Sequence, residues 1–404
     1  MESSPNRNWA RISSFLSLDR NVLLLSLTSM LMNFGTQAFY VFIPLYLLSL
    51  GASILDIGFV YVGMGVATYL FPFLGGALAD RFGRKWIIVF GNALGFGIYL
   101  ALFDANTWTV ALLVLLVATT FAAVVQPAFS SSIAESVDHK NRGNAFGTLY
   151  FLLYMGLSLG GLFGGVLPNP GRFQFNILVM VMAGFVAALT RGFFVRETLP
   201  LEARRKEKPV GERFLLRRLS RNIWLVLIAL FVFNFFSGLG QPVYAIFSTE
   251  QLRLSQAEFG AMVGLGSFAA MLGAFGAGAI TRKLGVRNTM ILSVIVAGGL
   301  VIPWIYSPSP LFAIAIFGVT GFFAQFFSVG NQTLMANLTK ATERGSIVGF
   351  ITTVAGLGAI ISPYVGSQLW VNFGARAPFL LSVVLACIVA APLVLIHEPR
   401  ESES

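Results

Sequence analysis

The sequence predicts an all-α polytopic membrane protein, with twelve transmembrane helices in two pseudo-symmetric six-helix bundles. Three observations carry that expectation. Of the 404 residues, 56% are apolar and only 11% are charged, with a mean hydropathy of +0.79; soluble domains hold about 25% charged residues. Apolar runs of about 20 residues, long enough to cross a hydrocarbon core as helices, recur along the whole chain. Glycines in the first half return at one fixed offset in the second.

The runs fall near residues 22–48, 55–79, 86–103, 107–129, 145–166 and 175–195, then 222–248, 257–280, 288–306, 310–335, 346–370 and 377–396. Connections between them are short except for 199–221, a charged stretch containing Pro209 and Gly211. This stretch reads as a linker, which divides the chain into an N-terminal segment (1–20), a first bundle (21–198), the linker, a second bundle (222–396) and a tail (397–404). The start is too polar for a secretory signal. Trp9, Ile12 and Phe15 are compatible with a short interfacial helix or with a frayed end.

Charge sets the expected orientation. Of the 27 Lys and Arg residues, all but Arg172, Arg253 and Arg376 fall on segments that share a side with the N-terminus. Basic residues concentrate on the cytoplasmic side of membrane proteins, so both termini are expected in the cytoplasm, with the chain in the plasma or inner membrane. The pI of about 10 then reflects topology and attraction to anionic lipid rather than nucleic-acid binding. The single cysteine, Cys387, excludes an internal disulfide, and the only histidines, His139 and His397, lie in polar stretches. No metal or cofactor is expected, and no phosphate-cradling G-x-x-x-x-G-K-[ST] loop is present, which argues against ATP-driven transport.

The internal repeat has an offset of 202. Gly58, Gly76, Gly83, Arg142, Gly143, Gly147, Gly156 and Gly164 correspond to Gly260, Gly278, Gly285, Arg344, Gly345, Gly349, Gly358 and Gly366. Six spans separate the copies, so the halves run in parallel, as suits rocking about a site at their seam.

Between the second and third spans lies Gly76-Ala77-Leu78-Ala79-Asp80-Arg81-Phe82-Gly83-Arg84-Lys85. Gly83 can take positive φ in a tight turn, Asp80 can cap a helix N-terminus, and the basic residues suit an anionic membrane face. The run resembles the signature loop of the major facilitator superfamily, G-x-x-x-D-R/K-x-G-R/K-R/K, at every defined position. That resemblance implies the two-bundle transporter fold and a cytoplasmic gate at Asp80, Arg81, Gly83 and Arg84. It also implies a charge relay from an acidic residue at the end of span four, for which Glu135 is the candidate and Arg142 its partner. The alternative reading of these charges is topogenic or solvated. In span five, Gly147, Gly156, Gly160, Gly161, Gly164 and Gly165 are similar to the pattern G-x8-G-x3-G-P-x2-G-G of drug/proton antiporters, with Gly161 in place of proline. Arg196-Glu197-Thr198-Leu199, closing span six, is also typical of the family.

Substrate-facing residues are expected where polar side chains interrupt the first and fourth spans of each half. Asn33, Gln37 and Tyr40 share one helical face, and Asn234, Gln241 and Tyr244 occupy a comparable one. Gln126, Gln325 and Asn331 add further amides, and about half of the set is expected to line a cavity, the rest joining helices. All 17 acidic residues fall at span ends or in loops, and Arg191 is expected to snorkel from the end of span six. Ionisable groups at membrane depth are costly and kept chiefly for function; their absence argues against a charged substrate and a buried proton site. The 39 phenylalanines, clustered at 231–236 and 322–327, are expected mostly to face lipid.

These readings converge on a monomeric secondary active or facilitative transporter. Its cargo would be a small neutral or lipophilic molecule, moved by rocker-switch alternating access through the lipid bilayer. The alternatives are a proton-coupled multidrug exporter using peripheral carboxylates and, further off, a lipid scramblase, flippase or membrane enzyme.

Overall fold

The computed structural model describes residues 19–138, 141–166, 172–199, 220–339 and 344–396; the interfacial-helix reading of the N-terminal segment, most of the linker and the tail lie outside them. Every long element is a helix, as lipid demands: backbone groups with no water to bond must be satisfied within their own segment. Among the described residues, eleven helices are long and apolar enough to span a membrane, and a bent pair taken as one span makes a twelfth.

The first half contains Arg20–Tyr40 with Ile43–Ser49, the bent pair Ile54–Leu70 and Pro72–Phe82, Arg84–Leu102, Trp108–Glu135, Arg142–Val166 and Arg172–Phe194. The second contains Arg221–Leu239 with a short helical stretch from Tyr244, Gln256–Leu284, Val286–Ile305, Pro310–Leu338, Arg344–Phe373 and Ala377–Val394.

Three spans read as continuous are broken, and proline explains each. Its ring displaces the carbonyl four residues back and it supplies no N–H. Pro44 follows the break at Val41–Phe42 in span one, Pro242 lies in the break at Gly240–Val243 in span seven, and Pro72 follows the 41° bend in span two. Span eight, its counterpart, has Ala274 at the position of Pro72 and remains one 29-residue helix.

The 202-residue offset reappears in the geometry. Ser53 and Asp56 form a capping box at span two, and Ser255 and Glu258 form the same box at span eight. Each pair satisfies two orphan N–H groups reciprocally. Gly83 and Gly285 both turn the chain at positive φ, 95° and 82°. Gly156 and Gly164 let span five lie against the backbone of span one at Met30 and Ala38, while Gly358 and Gly366 do the same for span eleven against span seven at Phe231 and Leu239.

The halves meet along two helix pairs, spans five with eight and two with eleven. Gly161 and Gly165 approach the backbones of Gly264 and Gly260, and Gly58 lies beneath Ser367 and Pro363. An aromatic cluster seals the end of the seam remote from the basic turns, with Phe42 of the first half edge-on to Phe259 of the second at 5.6 Å. At the opposite, basic face, a cavity bordered by Arg142, Gly143 and Gly147 lies between the halves. The molecule is closed at one end of the seam and open at the other.

The phenylalanine clusters depart from expectation by turning inward. Phe326 and Phe327 are buried, and Phe233 stacks on Phe327 at 3.8 Å. Paired rings gain contact area and quadrupole complementarity that lipid chains do not offer. Lipid instead meets scattered residues such as Phe73, Phe193 and Phe373.

Gly160→Leu should therefore destabilise the protein by about 1–3 kcal/mol through overpacking against span one, read as a lower Tm of purified protein. Gly147→Ala should change stability by less than about 0.5 kcal/mol.

Candidate functional site: two cavities and a charged turn

Two cavities follow one another along the seam. The first, of about 500 Å³, lies toward the closed end. The broken parts of spans one and seven border it through Gln37, Tyr40, Pro44, Gln241 and Tyr244, and Tyr61, Trp304 and Phe379 complete an aromatic wall. None of its lining residues carries a carboxylate, ammonium or guanidinium group. Tyr244 stacks on Trp304 at 4.9 Å, nearly parallel, and Phe247 and Phe379 pack around the pair. The Tyr244 hydroxyl and the Trp304 Nε1 are buried without a hydrogen-bond partner. Buried donors normally have one, so this corner retains unused polar capacity beside a large apolar surface.

The second cavity, of about 670 Å³, opens toward the basic face between spans five, eight and ten. Tyr150, Phe151 and Tyr154 face Phe275, Gln325 and Gln332 across it. Gln325 Nε2 donates to the Tyr154 hydroxyl at 2.7 Å, a hydrogen bond between the halves.

Of the nine polar residues expected at the cavity, Gln37, Tyr40, Gln241 and Tyr244 line the first and Gln325 lines the second. The other four line neither. Asn33 donates to the Ser29 carbonyl in its own helix at 2.8 Å, and Asn234 donates to the Ala355 carbonyl of span eleven at 3.1 Å. Gln126 is exposed, and the Asn331 Oδ1 is buried without a partner. Only Asn234 is drawn off by a bond to another helix; Asn33 is satisfied within its own turn.

The signature turn forms a charge network around Arg84, which is only 6% exposed. Arg84 pairs with Asp80 at 2.8 Å and with Glu135 at 3.4 Å. Thr198 donates its hydroxyl to Glu135 at 2.7 Å. Two expectations are corrected. Asp80 sits in the last turn of Pro72–Phe82 and does not cap the next helix; Glu197 does, accepting from the N–H groups of Arg84 at 2.9 Å and Lys85 at 3.3 Å. A carboxylate at a helix N-terminus satisfies orphan donors and complements the dipole. Arg142 does not pair with Glu135; its Nε donates to the Ala134 carbonyl at 3.1 Å. Arg81 leaves the network and lies over the Phe82 ring at 5.4 Å. The network joins spans two, three, four and the end of six, all in the first half.

Span five carries two glycine faces. Gly156, Gly160 and Gly164 meet span one; Gly161 and Gly165 meet span eight; Gly147 is open at the basic face. A Cβ at Gly161 would sit 2.9 Å from the Gly264 nitrogen, so the proline of the antiporter pattern does not fit against this seam.

Sequence reasoning missed one charged group. Arg191 does not snorkel: it is 2% exposed and points between spans one and four. It donates to the hydroxyls of Thr28 at 2.9 Å and Ser29 at 2.8 Å and lies over Phe129 at 5.0 Å. Its signal was the Thr28-Ser29 pair, whose hydroxyls supply acceptors within an apolar span.

Arg84→Ala should cost about 1–2 kcal/mol, because Asp80 and Glu135 lose their shared partner but, 44% and 32% exposed, remain partly hydrated. Arg84→Lys should recover less than half of that in a melting experiment, since a single ammonium does not fork between them.

Comparison with known proteins agrees with this architecture. The chain is 22% identical over 364 residues to "Multidrug resistance protein 2" of Bacillus subtilis (strain 168), covering 86% of this chain and 87% of the relative. It is 24% identical over 352 residues to "Multidrug resistance protein MdtG" of Klebsiella pneumoniae (strain 342), covering 84% of each. The fold matches the nucleoside transporter NupG with a TM-score of 0.74 at 13% identity, covering 93% of this chain and 98% of that one. It also matches the human organic anion transporter MFSD10 with a TM-score of 0.65 at 18% identity, over 93% and 99%. The family model described as Major Facilitator Superfamily matches residues 25–249 and again 226–404, and with two matching halves, twelve spans and a seam cavity the chain belongs to that superfamily of membrane transporters.

Proposed function

We propose that the protein exports or facilitates passage of small neutral or lipophilic molecules, using the aromatic cavity of about 500 Å³ as its binding site. The observation that carries this reading is the wall itself. Rings, amides and phenols meet at the seam between the halves with no carboxylate, ammonium or guanidinium among the lining residues. A charged cargo would lose its hydration there without a counter-charge, whereas an apolar one gains contact with Trp304, Tyr244 and Phe379.

The basic face is cytoplasmic in this reading, supported by the distribution of Lys and Arg. The structure then corresponds to the inward-open arm of a rocking cycle in the plasma or inner membrane. The glycine contacts of span five with span eight serve as the fulcrum, and the Asp80–Arg84–Glu135 network keeps the first half's inner ends together while the halves separate. Both halves and the whole seam lie within one chain, which supports a monomeric unit. The names of the multidrug relatives fit export of lipophilic compounds.

Proton coupling has less support. Asp56 is held in its capping box, and Asp80 and Glu135 are paired with Arg84. In proteoliposomes, transport should be insensitive to an imposed pH gradient; gradient-driven accumulation would favour a proton-coupled exporter.

A melting screen of purified protein against neutral aromatic, cationic aromatic and anionic compounds tests the cargo class, since a ligand of the folded state raises Tm by linkage. Neutral lipophilic compounds should stabilise, and Trp304→Ala should weaken their binding about tenfold, the scale of a central aromatic anchor. Stabilisation by anions alone, or binding untouched by Trp304→Ala, would reject this cavity as the site.

A further inference from the structure

Spans two, three and four enclose a third hollow on the outside of the first half, of about 540 Å³. Its surface is almost wholly carbon: Leu78 and Phe82 on one side, Trp86 and Phe90 on the other, Phe121 and Val124 at the floor. The hollow has a structural origin. Below the Pro72 bend, Gly75 seats on the backbone of Val124, and Gly91 of span three seats on the Val125 side chain. Both helices close on span four through small residues, and the large rings stand out on either side. Phe82, Trp86 and Phe90 are each about half exposed, and Trp86 stacks on Phe90 at 5.5 Å.

The basic-face end of this furrow carries two cations. Arg81 lies over Phe82 at 5.4 Å, and the Lys85 ammonium lies over Trp86 at 5.2 Å. Among the described residues neither side chain pairs with a carboxylate, because Asp80 and Glu135 are paired with Arg84. The second half supplies an internal control. It keeps the cations, with Lys283 and Arg287 at the positions of Arg81 and Lys85, but has Leu284, Asn288 and Leu292 where the rings stand. There Arg287 donates to the carbonyls of Val394 and Ile396. Aromatic walls and uncommitted cations therefore coincide in the first half alone.

We propose that this furrow binds one anionic phospholipid, with an acyl chain between the rings of spans two and three and its phosphate at Arg81 and Lys85. The carbon lining of the furrow suits an acyl tail, and the two cations complement a phosphate in a way that plain lipid-facing surface does not. Bound there, the lipid would brace the lower part of span two and the N-terminus of span three, which carry the signature turn. The site is separate from the seam cavities and does not depend on the cargo.

Native mass spectrometry of the full chain, delipidated and then given phosphatidylglycerol, phosphatidylcholine or inorganic phosphate, tests this. The wild-type protein should retain one phosphatidylglycerol and should not retain phosphatidylcholine comparably. Arg81→Gln with Lys85→Gln should reduce retention about tenfold. Leu78→Trp, which fills the furrow and leaves both cations, should reduce it as well. Lys283→Gln should have no effect. Melting without lipid shows whether each variant is folded, and the exposed Arg81 with the partly buried Lys85 provides a test should Leu78→Trp fail that check. Equal retention of phosphatidylcholine would mean an unspecific acyl furrow. Stabilisation by inorganic phosphate alone, or retention unchanged in the double variant, would mean that no lipid headgroup is recognised. Any of these three results would overturn the proposal.

Discussion

The close approach of helix backbones at span five is the constraint on which the rest of this molecule depends. In lipid there is no hydrophobic gain from pressing one apolar helix on another, so association rests on packing and hydrogen bonds. Gly156, Gly160 and Gly164 bring span five onto span one, and Gly161 and Gly165 bring it onto span eight of the other half. One helix thus belongs firmly to its own bundle and meets the other through close backbone approach at Gly161 and Gly165, with side-chain contacts at Tyr154–Gln325 and Phe151–Phe275 nearer the basic face. At the two glycines few side chains interlock, which suits a surface that must tilt.

Around that contact the polar groups are distributed by cost. Charges collect where water or a partner is available: Arg84 between Asp80 and Glu135, Glu197 on the N-terminus of span three. The exception, Arg191, is enclosed by hydroxyls and a ring and ties span six to span one. The breaks in spans one and seven follow the same logic. A helix interrupted against lipid would leave backbone groups unsatisfied, whereas an interruption bordering a cavity between protein walls is tolerated. Pro44 and Pro242 place their breaks where the aromatic cavity lies.

The two halves share a plan and differ in detail, and the differences carry the specificity. The capping boxes, the positive-φ glycines and the glycine contacts between paired spans repeat at one offset. The aromatic cavity does not: Trp304, Phe379 and Tyr244 come from the second half, with Gln37, Tyr40 and Tyr61 opposite them. The second half builds most of the cavity wall, and the first half holds the charged turn.

The sequence alone determined the fold class, because composition and run length leave a chain few alternatives once its solvent is lipid. It also determined the repeat and the signature turn, since both are written in glycine and charge at fixed spacing. Tertiary structure decided the direction in which each polar group points. Asn33 and Gln37 lie one turn apart, yet one bonds its own helix and the other lines the cavity. Glu197, rather than Asp80, caps span three because the end of span six reaches that turn in space, 113 residues away in sequence. The phenylalanine clusters likewise turned inward because partner rings stood ready across the bundle. Periodicity gives a residue's face on its own helix; what that face meets depends on neighbours that no local pattern encodes.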